Sequence, residues 1–112
     1  MAKGDIYANK ESINDAAFMT IQPAAGQECE LYNIGWTCSG INEGKIEVYR
    51  SDASTDDKIA DCNSYIALSY GYAIFPFNPP TLINNADYIK VKNVSGASAR
   101  IWYDGVERKP AT

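Results

Sequence analysis

Apolar and polar side chains alternate along residues 87–93: Ile89 and Val91 fall on one face, Tyr88, Lys90 and Lys92 on the other. The alternation returns at 98–103, with Ala99, Ile101 and Tyr103 on one side and Arg100 and Trp102 opposite. A period of two is the mark of an extended strand, whose successive side chains point to opposite faces of a sheet. The small polar run Ser95, Gly96, Ala97, Ser98 between them is turn-forming. We therefore read 82–106 as a β-hairpin. Its apolar face (Ile89, Val91, Ile101, Tyr103) is expected to line a core. Its other face (Tyr88, Lys90, Lys92, Arg100, Trp102) is the candidate partner-binding surface.

The same reading runs through the rest of the chain. Residues 6–8 form a short strand and the polar stretch 9–15 a loop. Residues 16–22 are a strand with Phe18 and Thr20 on one face and Ala17, Met19 and Ile21 on the other. Pro23 and Gly26 punctuate a turn. In ECELYNIGWTCS (28–39) the apolar parity changes near Asn33, which predicts a bulge, with Gly35 as a place of close backbone approach. A loop at 40–44 leads to a strand at 45–50 with Ile46 and Val48 inward. Residues 51–57 read as an exposed loop and 58–62 as a short strand. YIALSYGYAIFPF (65–77) splits at Gly71 into two short strands, near 65–69 and 73–77. Asn78-Pro79-Pro80 ends the second, because adjacent prolines forbid a central strand. Asp104-Gly105 signals a turn before a last short strand at 106–109. No segment carries apolar spacing at i, i+3, i+4, i+7 over three turns. Seven to nine short strands with Gly, Pro, Asn and Asp turns define an all-β chain. The expected fold is an antiparallel β-sandwich, jelly-roll-like, as one domain over 1–112 with flexible ends near 1–5 and 109–112.

Composition narrows the chemistry. The chain has no histidine, which removes Ser-His-Asp and Cys-His catalysis and His metal sites. No Gly-rich phosphate loop is present. The acidic stretch DASTDD (52–57) offers Asp52, Ser54 and Asp56, with Asp61 nearby, to a hard cation. The sixth position of a calcium loop calls for Gly and holds Asp57; the twelfth calls for Glu and holds Asn63. A solvated loop is the better reading. We expect no catalytic residues, no metal and no cofactor. A net charge of −4 and a pI near 4.6 give no general attraction for nucleic acid or anionic lipid. No apolar run is long enough to span a bilayer, and the first residues carry no apolar signal-peptide core, so synthesis in a cytoplasm is expected. Three cysteines, Cys29, Cys38 and Cys62, read as small buried side chains; a Cys29–Cys38 bridge has awkward geometry. Eight tyrosines, two tryptophans and three phenylalanines remain to be placed in core or interface. Tyr65, Tyr70, Tyr72, Tyr88 and Trp102 are the candidates for an exposed platform, and Trp36 for the core.

YNI at 32–34, GKIEVYR at 44–50, NNADYIKVKNVSG at 84–96 and IWYDG at 101–105 resemble segments of small virion proteins of tailed bacteriophages. The resemblance runs from about residue 28 onward. It implies a capsid decoration, or cement, protein on the capsid surface, assembled in the host cytoplasm, often as a homotrimer, with the major capsid protein as partner. No functional residue is carried over by it. The alternative is a carbohydrate- or receptor-binding β-sandwich of a phage tail or fibre, with Tyr72 or Trp102 on its platform.

Overall fold

In the computed structural model the described residues are 4–38, 44–62 and 72–109. They form eight strands: β1 (Ile6–Ile13), β2 (Phe18–Ile21), β3 (Glu28–Cys38), β4 (Ile46–Ser51), β5 (Asp56–Cys62), β6 (Ala73–Asn84), β7 (Tyr88–Asn93) and β8 (Ala99–Lys109). Two four-stranded antiparallel sheets result, in the orders β1-β8-β3-β6 and β2-β7-β4-β5. We call them the first and second sheets. This is the strand order of a jelly roll, in which eight strands are divided between two stacked sheets. The expected strand at 65–69 lies outside the described residues, as do Tyr65 and Tyr70.

The core is what the alternation predicts. Met19 and Ile21 of β2, Ile46 and Val48 of β4, Ile89 and Val91 of β7, and Ala99, Ile101 and Tyr103 of β8 are all buried between the sheets. In β3, Cys29 and Leu31 point inward, the register slips between Leu31 and Asn33, and Ile34, Trp36 and Cys38 point inward on the new parity. The bulge is thus what lets one long strand keep its apolar side to the core across a change of phase. The Trp36 indole N–H donates to the Gly44 carbonyl at 3.1 Å, so the largest buried ring leaves no polar atom unsatisfied. Each such aliphatic or aromatic side chain taken out of water contributes about 1.5–3 kcal/mol.

Several expectations are corrected. First, β7 and β8 are not a hairpin: β7 pairs with β2 and β4, and β8 pairs with β1 and β3 in the opposite sheet. The buried Asn93 organises the crossing. Its amide N–H₂ donates to the Ile13 carbonyl (2.9 Å) and the Ala97 carbonyl (2.8 Å), and its oxygen accepts from the Ser95 amide (3.0 Å). Gly96 supplies the positive φ (85°) of the turn. The chain is thereby carried over the end of the sandwich instead of folding back beside itself.

Second, residues 9–13 are strand, not loop. β1 pairs residue by residue with β8, from Ile6↔Val106 to Ile13↔Ala99. The segment is polar because it is an edge strand, and ladder bonds need no apolar side chains. Before it, Gly4 N–H donates to the Glu107 carbonyl (2.6 Å) and Glu107 N–H to the Asp5 carbonyl (2.8 Å), so the expected flexible end is tied down at Gly4 and Asp5. At the other end Lys109 closes β8.

Third, Asp104-Gly105 lies in the middle of β8 rather than at a turn. Glycine is needed there because a Cβ would run into the Glu30 carbonyl oxygen of β3. Fourth, Asn78-Pro79-Pro80 does not end β6, which runs through it. The prolines occupy the stretch between Pro76, opposite Asn33, and Thr81, opposite Leu31, where the ladder is interrupted. As the rule on proline requires, β6 is an edge strand. Residues 51–57 are also shorter as a loop than expected, since β5 begins at Asp56.

Candidate functional site

The five candidate residues do not form one surface. β7 and β8 belong to different sheets, so Lys90 and Lys92 lie on the outside of the second sheet, Arg100 and Trp102 on the outside of the first. Tyr88 is buried. Face chemistry is legible in an alternating strand; which sheet it joins is not.

On the second sheet, Lys90 stands over the Phe18 ring (4.5 Å to its centroid), with Lys92 at 5.8 Å. Tyr49 meets the same ring edge-on at 5.6 Å. Most charge here is satisfied within the chain. Lys90 pairs with Asp56 (3.1 Å), and Lys58 with Glu47 (3.2 Å) and Asp61 (3.3 Å). Arg50 grips Asp87 through Nε (2.6 Å) and Nη2 (3.0 Å) and also donates to Thr81 Oγ1 and the Leu82 carbonyl, both at 2.6 Å. The Arg50 bond holds the Asp87 carboxyl below its ordinary range despite some desolvation. This brace fastens edge strand β6 to β4 and the turn before β7.

In the acidic loop, Asp52 Oδ1 accepts from the Thr55 amide (2.8 Å), the Ser54 amide (3.0 Å) and Thr55 Oγ1 (3.1 Å). Those bonds, the Thr55 amide first, keep Asp52 below the ordinary carboxylate range. The carboxylate is used to shape its own turn. Among the described residues no cluster of three Cys, Asp or Glu side chains could hold a metal ion.

The first sheet presents a different outer surface. The cross-strand register sets it in rows: Ser12, Arg100 and Thr37; then Lys10, Trp102, Gly35 and Ile74; then Ala8, Asp104, Asn33 and Pro76; then Ile6, Val106, Glu30 and Leu82. Trp102 lies over Gly35, where a Cβ would strike the Cε2, Cζ2 and Nε1 atoms of the indole. The expected close approach at Gly35 is therefore the bed of a half-buried tryptophan. The Tyr72 ring sits 6.3 Å from it, tilted by 49°. Beside them a groove of about 500 Å³ is lined by Ala8, Asn9, Lys10, Trp102, Tyr103 and Asp104. Around this centre large apolar side chains are exposed: Ile6 (77%), Tyr72 (64%), Leu82 (53%) and Ile74 (49%). Tyr72 and Trp102 stand out in the sequence. Ile6, Lys10, Ile74, Leu82 and Asp104 do not, because only the pairing of β1, β8, β3 and β6 brings them to one face.

Inside the sandwich one polar group stands apart. Glu107 is fully buried; its Oε2 accepts from Gln27 Nε2 at 2.6 Å, and its Oε1 has no partner. Burial, followed by the charge of Glu107, pushes the nearby Cys29 thiol up to about 11. Cys29 and Cys38 are free, buried and nine positions apart on the same strand. Nine residues of strand span roughly 30 Å, so the two cannot be bridged.

No protein-family model and no curated protein sequence matches the chain. Solved structures do. The core of the Drosophila protein NLP, whose crystal structure concerns pentamer formation and histone binding, is similar at a TM-score of 0.50 and 14% identity, over 91% of this chain and 96% of that one. Two structures of a pentameric capsid protein from metagenomic phage sequences have TM-scores of 0.45 and 0.46 at 12% and 11% identity. They cover 94% of this chain, which spans 61% and 62% of theirs. At 14% identity the likeness to the Drosophila protein is one of fold alone.

Proposed function

We propose that this chain is a self-associating structural protein of a phage virion, bound to the outside of the capsid lattice in the manner of a decoration or cement protein. The observation that carries the reading is the outer face of the first sheet. There Trp102, Tyr72, Ile6, Ile74 and Leu82 leave a large apolar area in water. Exposed apolar surface gathered on one face of a soluble domain marks an interaction site. Tryptophan and tyrosine at the centre of such a face are the residue types that anchor protein interfaces. The virion setting comes from the sequence resemblance at 32–34, 44–50, 84–96 and 101–105. Self-association is supported by the Drosophila protein of similar fold, described as a pentamer. The trimer that the resemblance implies has no such support.

A saccharide platform is the second reading, favoured by the Trp102–Tyr72 pair beside a groove with Asn9, Lys10 and Asp104 on its walls. It leaves the exposed Ile6, Ile74 and Leu82 without a role, and so ranks below the first. Light scattering on the purified chain, with co-sedimentation on expanded phage capsids, tests the proposal. A defined oligomer that sediments with capsids is expected. A strict monomer that stays in the supernatant refutes it.

A further inference from the structure

The edges of the first sheet, the apolar centre of its outer face and the charges on that face bear on what covers it. The edges of this sheet are ill suited to pairing with another chain. β6 carries Pro76, Pro79 and Pro80. β1 sets polar Asn9 and Glu11 on its core-side parity, opposite Tyr103 and Ile101. Prolines and inward-set polar groups are how edge strands resist extension, so association falls to the face.

The apolar centre of that face, Trp102 on its glycine bed, is ringed by aliphatic residues rather than by hydrogen-bonding groups alone. That favours a protein surface as the occupant.

The charges complete the argument. On the second sheet Arg50, Lys58 and Lys90 each have a carboxylate partner within the chain. On the first, Glu30 pairs with Arg108 at 3.0 Å. Lys10, Arg100 and Asp104 are exposed and make no ion pair among the described residues. They are also segregated. Arg100 and Lys10 occupy two adjacent rows, and Asp104 the next. A two-fold axis across the strands, between the Trp102 row and the Asp104 row, brings Lys10 of each copy to the Asp104 row of the other. The face is thus complementary to itself.

We propose that the outer face of the β1-β8-β3-β6 sheet seats a second copy of this chain, with Trp102 within the apolar area it covers and Lys10 of each copy meeting Asp104 of the other. This rests on the reading that the chain self-associates, and it names the surface. Such an interface is isologous: each contact occurs twice, so it joins copies in pairs and is distinct from the head-to-tail contacts that close a ring such as a pentamer.

The test uses exposed residues, so folding is preserved. Lys10→Glu and Asp104→Lys are made singly and together, and association is followed by sedimentation and native mass spectrometry. Each single reversal sets like charges against each other twice and is expected to weaken association by more than about tenfold. The double variant restores opposite signs and is expected to regain most of the wild-type association. A wild-type oligomer that neither single reversal weakens overturns the assignment of the face while leaving self-association standing. So does a double variant no stronger than the singles. A wild-type chain that is monomeric at all concentrations overturns both.

Discussion

Replacing Gly105 by alanine would place a methyl group on the Glu30 carbonyl oxygen, a backbone atom held in the β3–β8 ladder. The same change at Gly35 meets first the indole of Trp102, the end of a side chain that can swing outward. The two substitutions add the same atom, so the difference between them isolates what obstructs it. At Gly35 the cost is the lost contact of the indole with its bed. Overpacking of this kind runs to about 1–3 kcal/mol, offset by roughly 0.5–1 kcal/mol because alanine suits a strand better than glycine. A net loss of about 1 kcal/mol follows for Gly35→Ala. At Gly105 the strands must part beside the bulge at Leu31–Asn33. This adds one or two ladder bonds at about 1 kcal/mol each, for a total of about 3 kcal/mol or more. Urea denaturation followed by circular dichroism measures both. With a slope of about 1–3 kcal/mol per molar, Gly105→Ala should lower the midpoint by at least about 1 M. Tryptophan emission separates the mechanisms. Gly35→Ala should move the Trp102 component to the red while the native far-ultraviolet spectrum persists. A Gly105→Ala protein as stable as wild type, or more stable than Gly35→Ala, would refute the reasoning.

Arg50→Ala removes the double grip on Asp87 and the bonds to Thr81 and Leu82. Both partners are partly exposed, so the expected loss is only about 1–3 kcal/mol, and Arg50→Lys should recover less than half of it in the same melts. Asp87, Asp52, Asp56 and Glu47 are all held below their ordinary range in the folded chain. Their stabilisation is therefore complete at neutral pH and is lost as the pH falls below the ordinary carboxylate range, near about 4. The thermal midpoint should hold steady from there to neutral pH and fall below it, and Asp87→Asn should remove part of the slope. Cys29 and Cys38 are buried and Cys62 is half-exposed, so a thiol reagent added to the native protein should modify Cys62 first. Modification of Cys29 at a rate equal to Cys62 would contradict the packing. Glu107→Gln keeps an oxygen to accept from Gln27 and replaces a buried carboxyl that has one unpartnered oxygen. It should match or exceed the wild-type midpoint; a loss above about 2 kcal/mol would show that the carboxyl itself is stabilising.

Much of the fold was legible, for a specific reason. Where one face of a strand is buried and the other wet, parity is written in the side chains. Met19/Ile21, Ile46/Val48 and the phase change at Asn33 could be read directly. Three kinds of feature could not. An edge strand such as β1 is wet on nearly every side, so Asn9 to Ser12 looks like a loop. A glycine needed for close approach looks like a glycine needed for a turn, as Gly105 does. Partnership between strands is set by tertiary packing, so the alternation at 87–93 and 98–103 carried no sign that the two runs belong to opposite sheets. The candidate surface inherited that last gap. Trp102 and Arg100 share the outer face of the first sheet, Lys90 and Lys92 lie on that of the second, and the other residues of the Trp102 face come from β1, β3 and β6.

The pairing scheme also has a consequence in time. Among the described strands only β4 and β5 are joined as consecutive neighbours; β1 waits for β8, β2 for β7, and β3 for both β6 and β8. On the ribosome, β1, β2 and β3 therefore emerge with no partner to pair with, and the second sheet cannot close until β7, nor the first until β8, has left the exit tunnel. Folding that depends on such distant closures is slow, in milliseconds to seconds. Until then the apolar faces of β2 and β3 are open to any chaperone at hand, and the local β4–β5 hairpin is the natural place for order to begin.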